Sequence, residues 1–196
     1  MQGGINLEKG YHRIFWGLFI ASFNIRLGYI TILPSFIGWI FFFSGLSSLN
    51  ENSNTYSFNK AQKYGIALIV VSLFTTVGVG FSNLLDTNNA LFLLLPIIPM
   101  LLEIGLVFNV LEGSKEALEN IGHGLAGEKL IRDSKTYLLF MGLSVLLMIF
   151  SLAFDYTLIS FISAGLAIIA RVYLLFVFSD LKKVWREYEL TKETSI

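Results

Sequence analysis

Three stretches of the chain, residues 66–81, 90–110 and 137–154, run through apolar side chains with a single charge, Glu103, among them. A water-soluble domain cannot hide such runs, because a fold of this size buries only about 70% of the surface its unfolded chain exposes. Composition points the same way. Hydrophobic residues make up 55% of the chain and charged residues 14%, against about 25% charged in an ordinary soluble domain. Lipid is the simpler solvent, and in lipid each spanning segment must satisfy its backbone internally, as a helix does. The expectation is an all-α, polytopic transmembrane helical bundle.

A crossing takes about 20 largely apolar residues, since the hydrocarbon layer is about 30 Å thick and a helix rises about 1.5 Å per residue. Residues 63–84, 90–110, 136–154 and 157–179 meet or approach that length. The first fifty residues allow two readings. Either residues 11–24 lie in the interface and 25–49 span, or 11–28 and 29–49 form a hairpin interrupted near Gly28 and Pro34, where proline can open a new helix.

Loop charge chooses between them. Lys60 and Lys63, then Lys115, Lys129, Arg132 and Lys135, then Lys182, Lys183 and Arg186 flank the apolar runs on one side, whereas the turns around Asp86 and Asp155 carry no Lys or Arg. Basic loops face the cytoplasm. Lys9 and Arg13 join that side only if the first fifty residues cross twice. The preferred reading is six spans, with five as the alternative, arranged as three helical hairpins with both termini cytoplasmic. Residues 1–196 then form one integral membrane domain, with 111–135 a cytoplasmic loop and 181–196 a cytoplasmic tail. Trp185 and Tyr188 among the tail's basic residues are expected to anchor it at headgroup level. No removable signal peptide is expected in the polar, Gly-rich first residues.

The string ILPSFIGW at Ile32 to Trp39, with Gly45 seven residues past Gly38, resembles a segment of small uncharacterised polytopic membrane proteins of Gram-positive bacteria. Their pattern carries an acidic residue where this chain has Ser35. The resemblance implies a bacterial plasma membrane and no particular activity.

Ionisable groups at membrane depth are costly and are functional candidates by default. Glu103 lies about 13 residues into its span and Arg171 about 14 into the last one, nearly the same depth if both helices run the same way. A pair would offset part of the desolvation cost of each. It reads as interhelical pairing or as part of a solute or proton path. Pro96 and Pro99 precede Glu103, and prolines there would free the carbonyls of Phe92 and Leu95 beside the carboxylate; a cation or polar-ligand site and a plain packing kink are both consistent with that. Ser72, Thr76, Gly80 and Asn83 recur at four, four and three residues. Such a stripe can line a polar path, but small residues more simply let helices approach closely in lipid. Ser163, Ala167 and Ala170 beside Arg171, and Pro34, Gly38 and Gly45, invite the same packing interpretation.

Glu112, Glu116, Glu119 and His123 share a helical face by spacing, yet Gly122 and Gly124 weaken any helix around the histidine, so this is read as a solvated acidic face and not a metal site. Cysteine is absent, which removes disulfides and thiolate chemistry, and neither histidine has an evident Ser or Asp partner. No enzyme activity and no cofactor are expected. Fourteen basic and fourteen acidic residues balance, so no nucleic-acid surface is implied. The functional expectation is a membrane transport or solute- or ion-binding component centred on Glu103 and Arg171. Its alternative is a non-catalytic accessory or scaffold subunit partnered with another membrane protein or with further copies of the chain; an intramembrane enzyme comes third.

Overall fold

The computed structural model describes residues 3–23, 26–27, 30–31, 34–53, 55–81 and 97–194. These form six helices: α1 (Gly3–Ser22), α2 (Ser35–Ser53), α3 (Tyr56–Phe81), α4 (Ile97–Asn120), α5 (Gly124–Phe154) and α6 (Thr157–Thr194). Between α1 and α2, Arg26–Leu27 pairs antiparallel with Ile30–Thr31 and turns the chain back. The first fifty residues are therefore a helical hairpin, with Pro34 just ahead of α2 and its carbonyl accepting from Ile37 N–H.

Each helix packs on its neighbours in sequence, and α6 closes the ring by packing on α1. The buried positions explain why. On α1, Leu7, Tyr11, Ile14, Leu18 and Ala21 are buried at intervals of four, three, four and three, the spacing that keeps one helical stripe facing inward. On α6, Ala167, Ala170, Leu174, Phe178, Leu181 and Trp185 repeat the pattern.

The three hairpins are closed by three kinds of seam. In α1–α2 the seam is glycine. A Cβ on Gly17 would meet the backbone of Phe42 and Gly38, and one on Gly38 the backbone of Gly17 and Ala21. In α3–α4 glycines receive aromatic rings, Gly105 taking Tyr64 and Gly113 taking Phe58. In α5–α6 the seam is serine. Ser144 Oγ donates to the Ser163 carbonyl and Ser163 Oγ to the Ser144 carbonyl, each at 2.8 Å, and Ser151 Oγ lies 2.5 Å from Ser160 Oγ. All three run antiparallel, because later residues on one helix meet earlier ones on the other.

Among the described residues, α4, α5 and the Thr157–Tyr188 part of α6 are long and apolar enough to cross a membrane. Their outer surfaces suit it: Leu139 and Leu146 are each 65% exposed, Phe161 72% and Phe176 67%, large apolar side chains facing outward along α5 and α6. In α1 and α2, of 20 and 19 residues, polar residues occupy the first turns of one and the last turns of the other, shortening the apolar stretch. Residues 82–84 of the expected third span lie outside the described residues.

Segment 111–135, expected as a loop, is nearly all helix. Leu111, Ser114, Ala117 and Leu118 are buried on α4 and Leu130 and Asp133 on α5, so both helices continue to pack beyond their apolar stretches. Only residues 121–123 turn. Gly122 takes φ +81°, His123 N–H returns to the Leu118 carbonyl and Gly122 N–H to the Glu119 carbonyl, the two bonds of a Schellman cap. At the next turn Asp155 takes the left-handed position with φ 54°, a conformation that aspartate tolerates better than most residues.

In segment 181–196, expected as a tail, α6 runs on to Thr194. Trp185, expected as an interfacial anchor, is instead packed inside the bundle. It is 2% exposed and stacks on Tyr11 with ring centroids 6.5 Å apart, because α1 covers this end of α6.

Candidate functional site

Glu103 and Arg171 are joined directly. Glu103 projects from α4 at a core position one turn before Leu106 and Val107, and Arg171 follows buried Ala170 on α6. Arg171 Nε donates to Glu103 Oε1 at 2.8 Å and Nη2 to Oε2 at 2.6 Å. Two parallel donors meeting two carboxylate oxygens form the fork-to-fork geometry that makes Arg–carboxylate pairs strong and directional. The burial is unequal: the Glu103 side chain is 1% exposed and that of Arg171 23%. Arg171 carries five N–H donors, and the fork uses two of them.

A third residue completes the centre. Tyr137 on α5 is fully buried, its hydroxyl has no hydrogen-bond partner among the described residues, and it lies within electrostatic reach of both Glu103 and Arg171. A buried hydroxyl ordinarily finds a partner. Sequence reading placed Tyr137 only at the start of an apolar run. The missed signal is its distance from the Asp155 turn, about 18 residues back, while Arg171 lies about 16 forward, so an antiparallel pair brings the two to similar depth.

The other sequence candidates lie on α4 or α3 or outside the described residues. Pro99 is the third residue of the described part of α4. Pro96, and the Phe92 and Leu95 carbonyls, lie outside the described residues. Ser72 is buried on α3 and its carbonyl accepts from Thr75 Oγ1 at 3.0 Å. Thr76 and Gly80 continue α3, and Asn83 lies outside the described residues. Asn109, another buried polar group on α4, turns back to the Gly105 carbonyl at 2.6 Å.

A second polar link crosses the bundle nearer its charged end. Tyr11 Oη on α1 donates to Ser114 Oγ on α4 at 2.8 Å, and Ser114 Oγ donates to the Val110 carbonyl at 2.7 Å. Both hydroxyls are satisfied, so this is a tie between helices. Beyond it the surface becomes ionic, with Glu8 to Arg186 at 2.5 Å, Lys129 to Asp180 at 2.8 Å and Lys115 to Glu119 at 3.5 Å. The acidic face of α4 is dispersed among such contacts. Glu116 accepts from Ser57 Oγ at 2.7 Å, and His123 sits in the turn, edge-on to Tyr188. Among the described residues no three His, Cys, Asp or Glu side chains converge as metal ligands.

Chemically, the Glu103–Arg171–Tyr137 centre offers a carboxylate, a guanidinium that a competing anion can engage, and a phenolic hydroxyl. No family model, curated protein or solved structure matches the chain.

Proposed function

We propose that the chain is a six-span membrane protein acting as a solute- or ion-binding transport component, with Glu103, Arg171 and Tyr137 as its binding centre. The observation that carries the proposal is the buried Tyr137 hydroxyl, without a partner among the described residues and within electrostatic reach of a charge pair set among apolar helices. Charges so placed are expensive and mark pathways or binding sites more often than accidents. Within this reading the three antiparallel hairpins each cross twice and both termini lie in the cytoplasm of a bacterium. Two contacts support an even number of crossings. Glu8 meets Arg186 and His12 lies 3.3 Å from Lys182, so the start of α1 and the end of α6 share one end of the bundle. That end also holds Lys115 and Lys129, as cytoplasmic positive charge requires.

Single cysteines introduced near residue 3 and residue 190 check the topology. Both are expected to resist an impermeant thiol reagent in intact cells and to react after permeabilisation; labelling at residue 3 alone returns the five-span reading. Binding is checked by native mass spectrometry of the protein extracted from its own membrane. A small polar molecule retained by wild type and lost in Tyr137→Phe is the expected result.

One feature favours the second reading, an accessory subunit of a membrane complex. The Glu103–Arg171 fork satisfies both carboxylate oxygens, as a static tie between α4 and α6 would. On that reading Tyr137→Phe changes nothing and another membrane protein co-purifies in fixed ratio.

A further inference from the structure

A groove of 280 Å³ opens between α4 and α5 where the apolar parts of the two helices give way to their charged ends. Its walls mix two chemistries. Phe108 and Leu111 on α4 and Leu130, Ile131 and Leu138 on α5 are apolar, while Lys115 and Glu112 on α4 and Lys135 on α5 bring charge into the same groove. We infer that this groove binds an anionic phospholipid from the inner leaflet, with an acyl segment against Phe108 and Leu138 and the phosphodiester between Lys115 and Lys135.

Three observations commit the groove to that occupant. First, it lies on two of the three helices that are long and apolar enough to cross a membrane, and at the end where their charges begin, which is headgroup level for a spanning helix. Second, its volume falls just under the about 300–1,000 Å³ of ordinary ligand clefts. It suits a chain segment and a headgroup edge better than an entire enclosed molecule. Third, the charges match. Two lysines and Glu112 leave one positive charge, which complements a singly charged phosphodiester and suits a doubly charged phosphate monoester less well. Around the mouth, Glu119, which meets Lys115 at 3.5 Å, is offset by exposed Arg132 one turn from Lys135. The Lys115–Glu119 contact is itself solvent-exposed, with side chains 33% and 50% accessible, and pairs of that kind are weak enough to yield to a phosphate. Among the described residues Lys135 takes part in none of the ion pairs. Basic pockets between helices at the cytoplasmic face are a general form of anionic lipid recognition.

The inference rests on α4 and α5 crossing the bilayer and is independent of the role of Glu103. The test uses the full chain in detergent, titrated with phosphatidylglycerol or phosphatidylcholine of the same acyl chains and followed by native mass spectrometry. Wild type is expected to retain phosphatidylglycerol with about fivefold preference, the size expected from one net positive charge facing an anionic headgroup. Lys115→Gln with Lys135→Gln should abolish the preference, whereas Lys9→Gln with Lys183→Gln, equal in net charge, should keep it. Leu138→Trp, which fills the slot and leaves the charges alone, should also lose it. Equal retention of the two lipids, or a preference untouched by the Lys115/Lys135 pair, overturns the site. So does competition by millimolar inorganic phosphate, which would make it a free-anion site, and so does retention by Leu138→Trp, which would remove the acyl slot. Alkaline extraction of vesicles separates the two levels. A chain that stays in the vesicle but shows no lipid preference refutes the site alone, while release from the vesicle refutes the spanning premise with it.

Discussion

The α1–α2 hairpin and the α4–α6 contact hold helices together by opposite means. In α1–α2 the side chains at the seam are removed, so that Gly17 and Gly38 bring the two backbones into direct contact. In α4–α6 the long side chains of Glu103 and Arg171 bridge the helices through two hydrogen bonds. In the proposed six-span arrangement, lipid explains why both occur. Water drives apolar helices together, but lipid tails are as apolar as leucine, so association in a bilayer comes from close van der Waals packing and from polar groups that have nowhere else to bond. The two devices fail differently. A glycine seam fails by gaining an atom, and a charge pair by losing a partner. The serine seam of α5–α6 lies between them, with small side chains that also exchange hydrogen bonds.

The largest effect is expected at the charge pair. Glu103→Gln or Arg171→Gln alone leaves an uncompensated charge and should cost about 3–5 kcal/mol, read as folded yield or thermal midpoint in detergent. The double substitution should be milder than the sum of the two singles, because the pair is one unit. Additive losses would show that the two side chains act separately, and the contrast with the glycine seam would collapse.

At the seam itself, Gly17→Ala should cost about 1–3 kcal/mol, the range for overpacking, because its new methyl meets backbone that cannot rotate away. Gly142→Ala is the matched control. Nothing lies within 4 Å of a Cβ at Gly142, so alanine there should stabilise the helix by about 0.5–1 kcal/mol. If both glycines respond alike in a thermal unfolding series, helix propensity and not backbone approach governs α1–α2.

The serine seam should yield least. Ser144→Ala removes one of two reciprocal bonds and leaves the Ser163 carbonyl without its donor, and hydrogen bonds between membrane helices average about 0.6 kcal/mol by double-mutant cycles. A loss as large as that of Glu103→Gln would place the serines with the charge pair as polar glue.

What the sequence determined by itself is the set of properties that follow from local composition. Uncharged apolar runs demanded a helical, membrane-compatible fold, and the matching depths of Glu103 and Arg171 made them candidate neighbours, because an isolated charge in an apolar run needs a partner wherever the helices lie. The seven-residue spacing of Gly38 and Gly45 likewise announced a packing face. Tertiary structure alone decided what that face meets. Gly10 and Gly17 carry the same spacing, but only the antiparallel register of α1 on α2 sets Gly17 against Gly38. Trp185 read as an interfacial anchor from its basic neighbours, and it became a core residue because α1 places Tyr11 over it. Residues 111–135 read as a polar loop, yet the buried stripes of α4 and α5 continue through them and keep them helical. Tyr137 joined the charge centre for the same kind of reason. Hydropathy is fixed by each residue and its near neighbours, whereas which stripes face one another depends on contacts between residues as far apart as 178 positions, and no short segment carries that information.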